Sequence, residues 1–146
     1  MKDDMLKLEN QLCFPLYACA REVVKQYKPF LDEIGLTYTQ YIAMMVLWEK
    51  RQASVKALGE ALYLDSGTLT PLLKKMQAAG LITRRRDAAD ERSVLVAPTA
   101  AGDALKIKAR EIPGKMMQCI PLSEQDAKTL YRLLYQVLRS TATDCR

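Results

Sequence analysis

The chain has 146 residues, enough for one ordinary domain and too few for two. With 49% hydrophobic and 27% charged residues it can bury a core and is no disordered tail. Its net charge of +5 admits an anionic partner, while four cysteines without a C-x-x-C pair and no histidine leave zinc and haem without their usual ligands. No metal and no cofactor are expected. No run approaches the roughly 18 uninterrupted apolar residues of a membrane span. The start, Met1-Lys2-Asp3-Asp4-Met5, is polar and acidic, unlike a signal peptide, so a cytoplasmic protein with reduced thiols is expected.

The first helical signal is the three-four spacing of Leu12, Leu16, Cys19-Ala20, Val23-Val24 and Tyr27. Proline fits only the first turn of a helix, so Pro15 places the start near Leu12 or Cys13, or else marks a kink. The residue before a proline leaves the α region, so an end is expected at Lys28-Pro29. A second helix is predicted from Thr39 to Lys50, capped by Thr37 or Thr39, with Tyr41, Met44, Met45 and Trp48 on its apolar face. Ser54 caps a short helix with Val55, Leu58 and Leu62, and Tyr63-Leu64-Asp65-Ser66 makes a turn. The next helix runs from about Gly67 to Ala79, with Leu69, Leu72, Leu73 and Met76 inward and Gly80 as its stop. Two β-prone runs, Leu81 to Arg85 and Ser93 to Ala97, flank a polar loop and read as a hairpin. Pro98-Thr99 opens a long helix broken at Pro113-Gly114, and Pro121 ends the stretch after Cys119. Ser123 caps a last helix striped with Leu130, Leu133, Leu134, Val137 and Leu138.

Helix, tight turn, helix and hairpin is the order of a winged helix-turn-helix, here between Ser54 and Pro98. Small polar residues at the start of the second helix, Ser66, Thr68 and Thr70, suit base edges and phosphates in a major groove; Leu69 and Pro71 suit thymine methyls. Lys74 and Lys75 follow a turn later, placed for phosphates. The hairpin carries Arg84, Arg85, Arg86 and Arg92, which can grip backbone or enter a narrow minor groove. From Lys74 to Arg92 six basic residues face three acids, so that stretch holds more than half of the excess charge. Double-stranded DNA is the expected partner.

Two strings resemble a known family. Asp90-Glu91-Arg92-Ser93-Val94-Leu95-Val96 and Thr99-Ala100-Ala101-Gly102 are similar to the D-x-R wing and T-x-x-G helix start of MarR-type regulators. That resemblance implies a mainly α fold with a β-hairpin wing, and a homodimer formed by the terminal helices, residues 1–35 and 99–146, around a DNA-binding region, 36–98. It implies that Arg92 probes the minor groove while Asp90 holds it. Two-fold symmetry then requires an inverted-repeat operator with half-sites about 34 Å apart.

Further strings are similar to the organic hydroperoxide resistance regulators of that family. They are Glu9-Asn10-Gln11-Leu12-Cys13-Phe14, Gln26-Tyr27-Lys28-Pro29, Tyr38-Thr39-Gln40-Tyr41 and the run from Tyr63 to Pro71. The resemblance implies that Cys13 is the peroxide-sensing thiol, with Tyr27 and Tyr38 as hydrogen-bonding neighbours. Spacing alone leaves Cys13 open as an ordinary apolar residue, although a helix start does favour a thiolate. The family includes members with a second, resolving cysteine from the other subunit, and the resemblance puts Cys119 there; Cys145 or a small cellular thiol stays an alternative. Cys19, off the Cys13 face, is expected in the core. Pro15 departs from the family's pattern and puts the orientation of Cys13 at issue. The rival trigger is a phenolic or apolar ligand between the dimer and reading regions. Nothing supplies the base and scaffold of a thiol peroxidase, so no enzyme is expected.

Overall fold

A computed structural model describes residues 2–144, the last two by backbone alone. Two 3-10 turns, Lys2–Leu6 and Leu8–Asn10, precede seven α-helices and a small sheet. The helices are α1 (Cys13–Asp32), α2 (Tyr38–Lys50), α3 (Val55–Leu62), α4 (Ser66–Ala78), α5 (Ala100–Ala109), α6 (Ile112–Cys119) and α7 (Glu124–Asp144). The strands β1 (Ala53–Ser54), β2 (Ile82–Arg86) and β3 (Val94–Pro98) form an antiparallel sheet of order β1-β3-β2.

Caps place the helix starts. Thr37 and Gln40 form a reciprocal capping box at α2, Ser54 accepts from Ala57 N–H at α3, and Asp65 accepts from Thr68 N–H at α4. Thr99 and Ser123 do the same for α5 and α7. Pro15 is the third residue of α1, inside the first turn, where its missing N–H costs nothing. Gly80, at φ +76°, follows α4 as expected.

The expected stop at Pro29 is wrong. α1 runs through it to Asp32, although an interior proline costs roughly 3 kcal/mol. The extra turn buries Leu31 and lays Phe30 under the Lys115 ammonium, 5.7 Å from the ring centre. Beyond it Leu36 N–H bonds back to Leu31 C=O, so tertiary packing holds what local geometry disfavours. The break after α5 also lies elsewhere: it falls at Arg110-Glu111, and Pro113 sits in the first turn of α6.

The core is gathered from residues 31 to 116. Tyr41, Met44, Leu47 and Trp48 of α2 pack with Leu58, Leu69, Leu73, Met76, Ile82 and Val96, and Ala109, Ile112 and Met116 close it from α5 and α6. Met45, expected on the apolar face of α2, is 45% exposed. Leu31 is the one buried residue of α1, and no described side chain of α7 is buried. Cys19 is therefore exposed rather than core, because none of the described residues covers it on the N-terminal half of α1.

Candidate DNA-reading surface and thiol site

α3, the Tyr63–Asp65 turn and α4 make the helix-turn-helix. Tyr63 turns left-handed at φ +55°, and its N–H and that of Leu64 both close on Gly59 C=O. A β-carbon at Gly59 would lie 2.8 Å from Leu64 O, so the sharp turn needs glycine there. The Asp65 carboxylate accepts Thr68 N–H at 2.7 Å, and that bond holds its pKa below the ordinary value. Ser66 and Thr68 are exposed on the first turn of α4, Thr70 is half-buried, and Lys74 and Lys75 are exposed further along. Leu69, at 1% exposure, is core and has no surface to offer a thymine methyl, whereas Pro71 is exposed. Helical geometry explains the miss: Leu69 shares the inward face with Leu73 and Met76.

The wing is the β2–β3 hairpin, paired Arg84↔Val96, Arg85↔Leu95 and Arg86↔Val94. Its arginines are not equivalent. Arg84 Nε donates to Gln77 Oε1 of α4 at 2.8 Å, and Arg85 donates to Gln52 Oε1 beside β1 at 3.0 Å. Arg86 reaches over the wing loop to Glu91 C=O at 2.8 Å. The link between Asp90 and Arg92 runs through the backbone: the carboxylate accepts Arg92 N–H at 3.0 Å, and among the described residues no ion pair joins the two side chains. The guanidinium of Arg92 is left for other work at the wing tip. β1, which no periodicity could reveal in two residues, pairs Ala53↔Val96 and anchors the wing to the reading unit.

The reading unit is locked to α5 at one junction. Thr99 Oγ1 donates to Gly80 C=O at 2.6 Å and also accepts Gly102 N–H. A β-carbon at Gly102 would run into the Leu81 carbonyl oxygen, so the T-x-x-G string is a cap plus a close approach. Trp48 Nε1 donates to Gly102 C=O at 3.0 Å, and Arg51 forks onto Asp103 at 2.7 and 2.6 Å. That ion pair keeps Asp103 below its ordinary pKa and Arg51 above its own.

Cys13 is the first residue of α1 and is exposed. Tyr27 and Tyr38 meet each other, ring centres 4.9 Å apart, and Tyr41 joins both. Burial raises the pKa of all three hydroxyls, which keeps them protonated and able to donate. Within one chain they do not approach Cys13. Fourteen residues of one helix separate Cys13 from Tyr27, about 21 Å of rise. Cys119 is exposed at the end of α6, whose Lys115 meets α1 at Phe30, toward the end of that helix away from Cys13. Cys145 lies outside the described residues. Among the described residues no cluster of Cys, Asp and Glu could hold a metal ion, and no helix is long and apolar enough to cross a membrane.

Known proteins share this architecture. The family described as transcriptional regulator SarA/Rot matches residues 25–108. The organic hydroperoxide resistance transcriptional regulator of Bacillus subtilis is 54% identical over 139 residues, 95% of each chain. The HTH-type transcriptional regulator SarZ of Staphylococcus aureus is 40% identical over 123 residues, covering 84% of this chain and 83% of its own. Among solved structures, reduced AbfR bound to DNA, a protein of Staphylococcus epidermidis, superposes with a TM-score of 0.79 at 31% identity, over 97% of this chain and 99% of that one. With the helix-turn-helix, wing and capped junction in place, the chain belongs to the MarR and SarA-type winged-helix transcriptional regulators, on their organic hydroperoxide resistance branch.

Proposed function

We propose that the chain is a redox-sensing repressor whose homodimer holds an inverted-repeat operator while Cys13 is reduced and leaves it when an organic hydroperoxide oxidises that thiol. The observation that carries this reading is an exposed thiol at the head of a helix whose apolar residues the described part of the chain leaves exposed. Leu12 and, on α1, Phe14, Leu16, Tyr17 and Val24 are exposed, as are Leu130, Leu133, Leu134 and Val137 on α7. Apolar surface of that extent is an interface in a folded regulator. Residues 1–35 and 99–146 thus serve dimerisation, and 36–98 read DNA through Ser66, Thr68, Thr70, Lys74, Lys75, the wing arginines and Asp90. The partner's Tyr27 and Tyr38 donate to the Cys13 thiolate, since the same chain's Tyr27 lies about 21 Å along α1, with Tyr38 of α2 packed against it.

The chemistry balances without a cofactor. The thiolate sulfur of Cys13 attacks one peroxide oxygen, the O–O bond breaks, and the sulfur gives up two electrons to become a sulfenic acid. The departing alkoxide takes a proton and leaves as an alcohol. The thiol of Cys119 from the other subunit then attacks that sulfur, and a disulfide forms as water departs. AbfR has been solved reduced on DNA and also in a disulfide form, which supports a thiol cycle of this kind. Separation or rotation of the two reading heads ends bivalent binding, and with it the effective-concentration gain.

Cys13→Ser binds operator like the parent and ignores cumene hydroperoxide; release of this variant by peroxide overturns the reading. After peroxide, non-reducing electrophoresis shows a dimer band that Cys119→Ser removes; a persisting band moves the resolving role to Cys145 or Cys19. The second reading, release by a phenolic or apolar ligand, has one observation in its favour: an open groove of about 400 Å³ lined by Tyr41, Met45, Trp48, Lys106, Arg110 and Pro113. Under that reading Cys13→Ser still releases DNA with the ligand, and peroxide does nothing to either protein.

A further inference from the structure

The geometry points to Tyr41 as a positioning residue of the thiol site: its buried ring is the wall that sets Tyr27 and Tyr38 at the angle from which they meet a sulfur. The inference rests on the proposed role of that pair as donors, and goes beyond it by naming what holds them.

The three rings form a closed triangle, with centroid separations of 4.9 Å for Tyr27–Tyr38, 5.9 Å for Tyr27–Tyr41 and 6.4 Å for Tyr38–Tyr41. The interplanar angles, 54°, 44° and 51°, are all tilted, the arrangement aromatic rings prefer over a flat sandwich. The triangle is not symmetric in burial. Tyr41 is 3% exposed, whereas Tyr27 and Tyr38 are half-buried and keep open surface. Tyr38 and Tyr41 stand one turn apart on α2, so both project from one face toward Tyr27 of α1. Tyr41 also packs in the main core with Met44, Leu47 and Trp48. Tyr27 and Tyr38 also pack against that core, but only in part, so Tyr41 is the ring of the three that the core holds most completely. Neither Tyr27 nor Tyr38 hydroxyl bonds to another described group, so neither ring is tethered at its tip. A donor without such a tether keeps its aim only if its flank is fixed, and Tyr41 supplies that flank for both. Ring contact is what this role needs, and the Tyr41 hydroxyl is dispensable.

The test measures the second-order rate of Cys13 with cumene hydroperoxide in the full-length reduced dimer, alongside operator affinity as the check on folding. Tyr41→Leu slows the reaction about tenfold, the order expected when a hydrogen bond to a charged acceptor loosens, at parental operator affinity. Tyr41→Phe restores the rate to within about twofold. A parental rate in Tyr41→Leu overturns the inference, and so does a tenfold loss in Tyr41→Phe, which would assign the work to the hydroxyl. Should Tyr41→Leu fail to bind operator, Tyr41→Met takes its place with the same two readings. The underlying donor role is tested separately by Tyr27→Phe with Tyr38→Phe. An unchanged rate there removes the donors themselves; a slowed rate there beside a parental Tyr41→Leu removes only the positioning.

Discussion

At the scale of single residues the wing separates into fastened and free arginines. Arg84, Arg85 and Arg86 each hold an internal acceptor, and Arg92 is presented by the turn that Asp90 closes. Arg92→Ala is expected to weaken operator binding and to flatten its salt dependence by about 0.9 in log–log slope for each phosphate it no longer neutralises. Titrations of one operator over a range of salt check this. Asp90 yields a sharper prediction. Its carboxylate grips a backbone N–H, a bond that an amide oxygen can also accept. Asp90→Asn therefore keeps most of the affinity and Asp90→Ala does not; equal losses in the two variants would mean that an ion pair with the guanidinium is what matters. The candidate DNA residues were legible because each is a polar or basic side chain at a motif position. Leu69 shows the limit of a motif position, since its helical spacing already put it on the inward face, and the core claims it.

At the scale of elements, the junction of α2, the Gly80-Leu81 turn and α5 joins the reading unit to the rest of the chain. Gly102→Ala pushes a methyl against the Leu81 carbonyl, a backbone atom that cannot swing aside. Overpacking of this kind costs about 1–3 kcal/mol, and a denaturant melt of the variant measures it. The Arg51–Asp103 fork adds a pH dependence. Asp103 titrates below its ordinary 3.8 in the folded chain, so its contribution is present above that value and fades as pH falls through the lowered one. Asp103→Asn accordingly loses stability at neutral pH and converges on the parent in acid. Helix starts were readable because caps are local chemistry, with Thr37, Ser54, Asp65, Thr99 and Ser123 each bonding within its own first turn. The run of α1 through Pro29 was not, because the packing of Leu31 and Phe30 that holds it comes from other elements. β1 escaped for a related reason: two residues carry no period, and their pairing with β3 is a tertiary fact.

At the scale of the whole molecule, a core confined to residues 31–116 leaves both ends of the chain with uncovered apolar faces. Covering them with a second copy also answers the distance problem at the thiol. The strings that single out Cys13, Tyr27 and Tyr38 were visible in the sequence; that one chain keeps Cys13 apart from Tyr27 was not, because that depends on where α1 begins and ends. Leu134→Glu would place an unpaired carboxylate in the interface and weaken the dimer by about 3–5 kcal/mol, as sedimentation reads directly. Operator affinity should fall with it.

In the proposed switch, oxidation of Cys13 is the event that empties the operator. The most direct measurement follows intact mass and operator affinity in the same aliquots while one equivalent of cumene hydroperoxide reacts with the reduced protein. Affinity is expected to fall in step with the appearance of a disulfide joining Cys13 to Cys119 of the other subunit, and to return when a thiol reductant removes it. Full affinity in a sample whose Cys13 is wholly oxidised, or release from protein of unchanged mass, would contradict it.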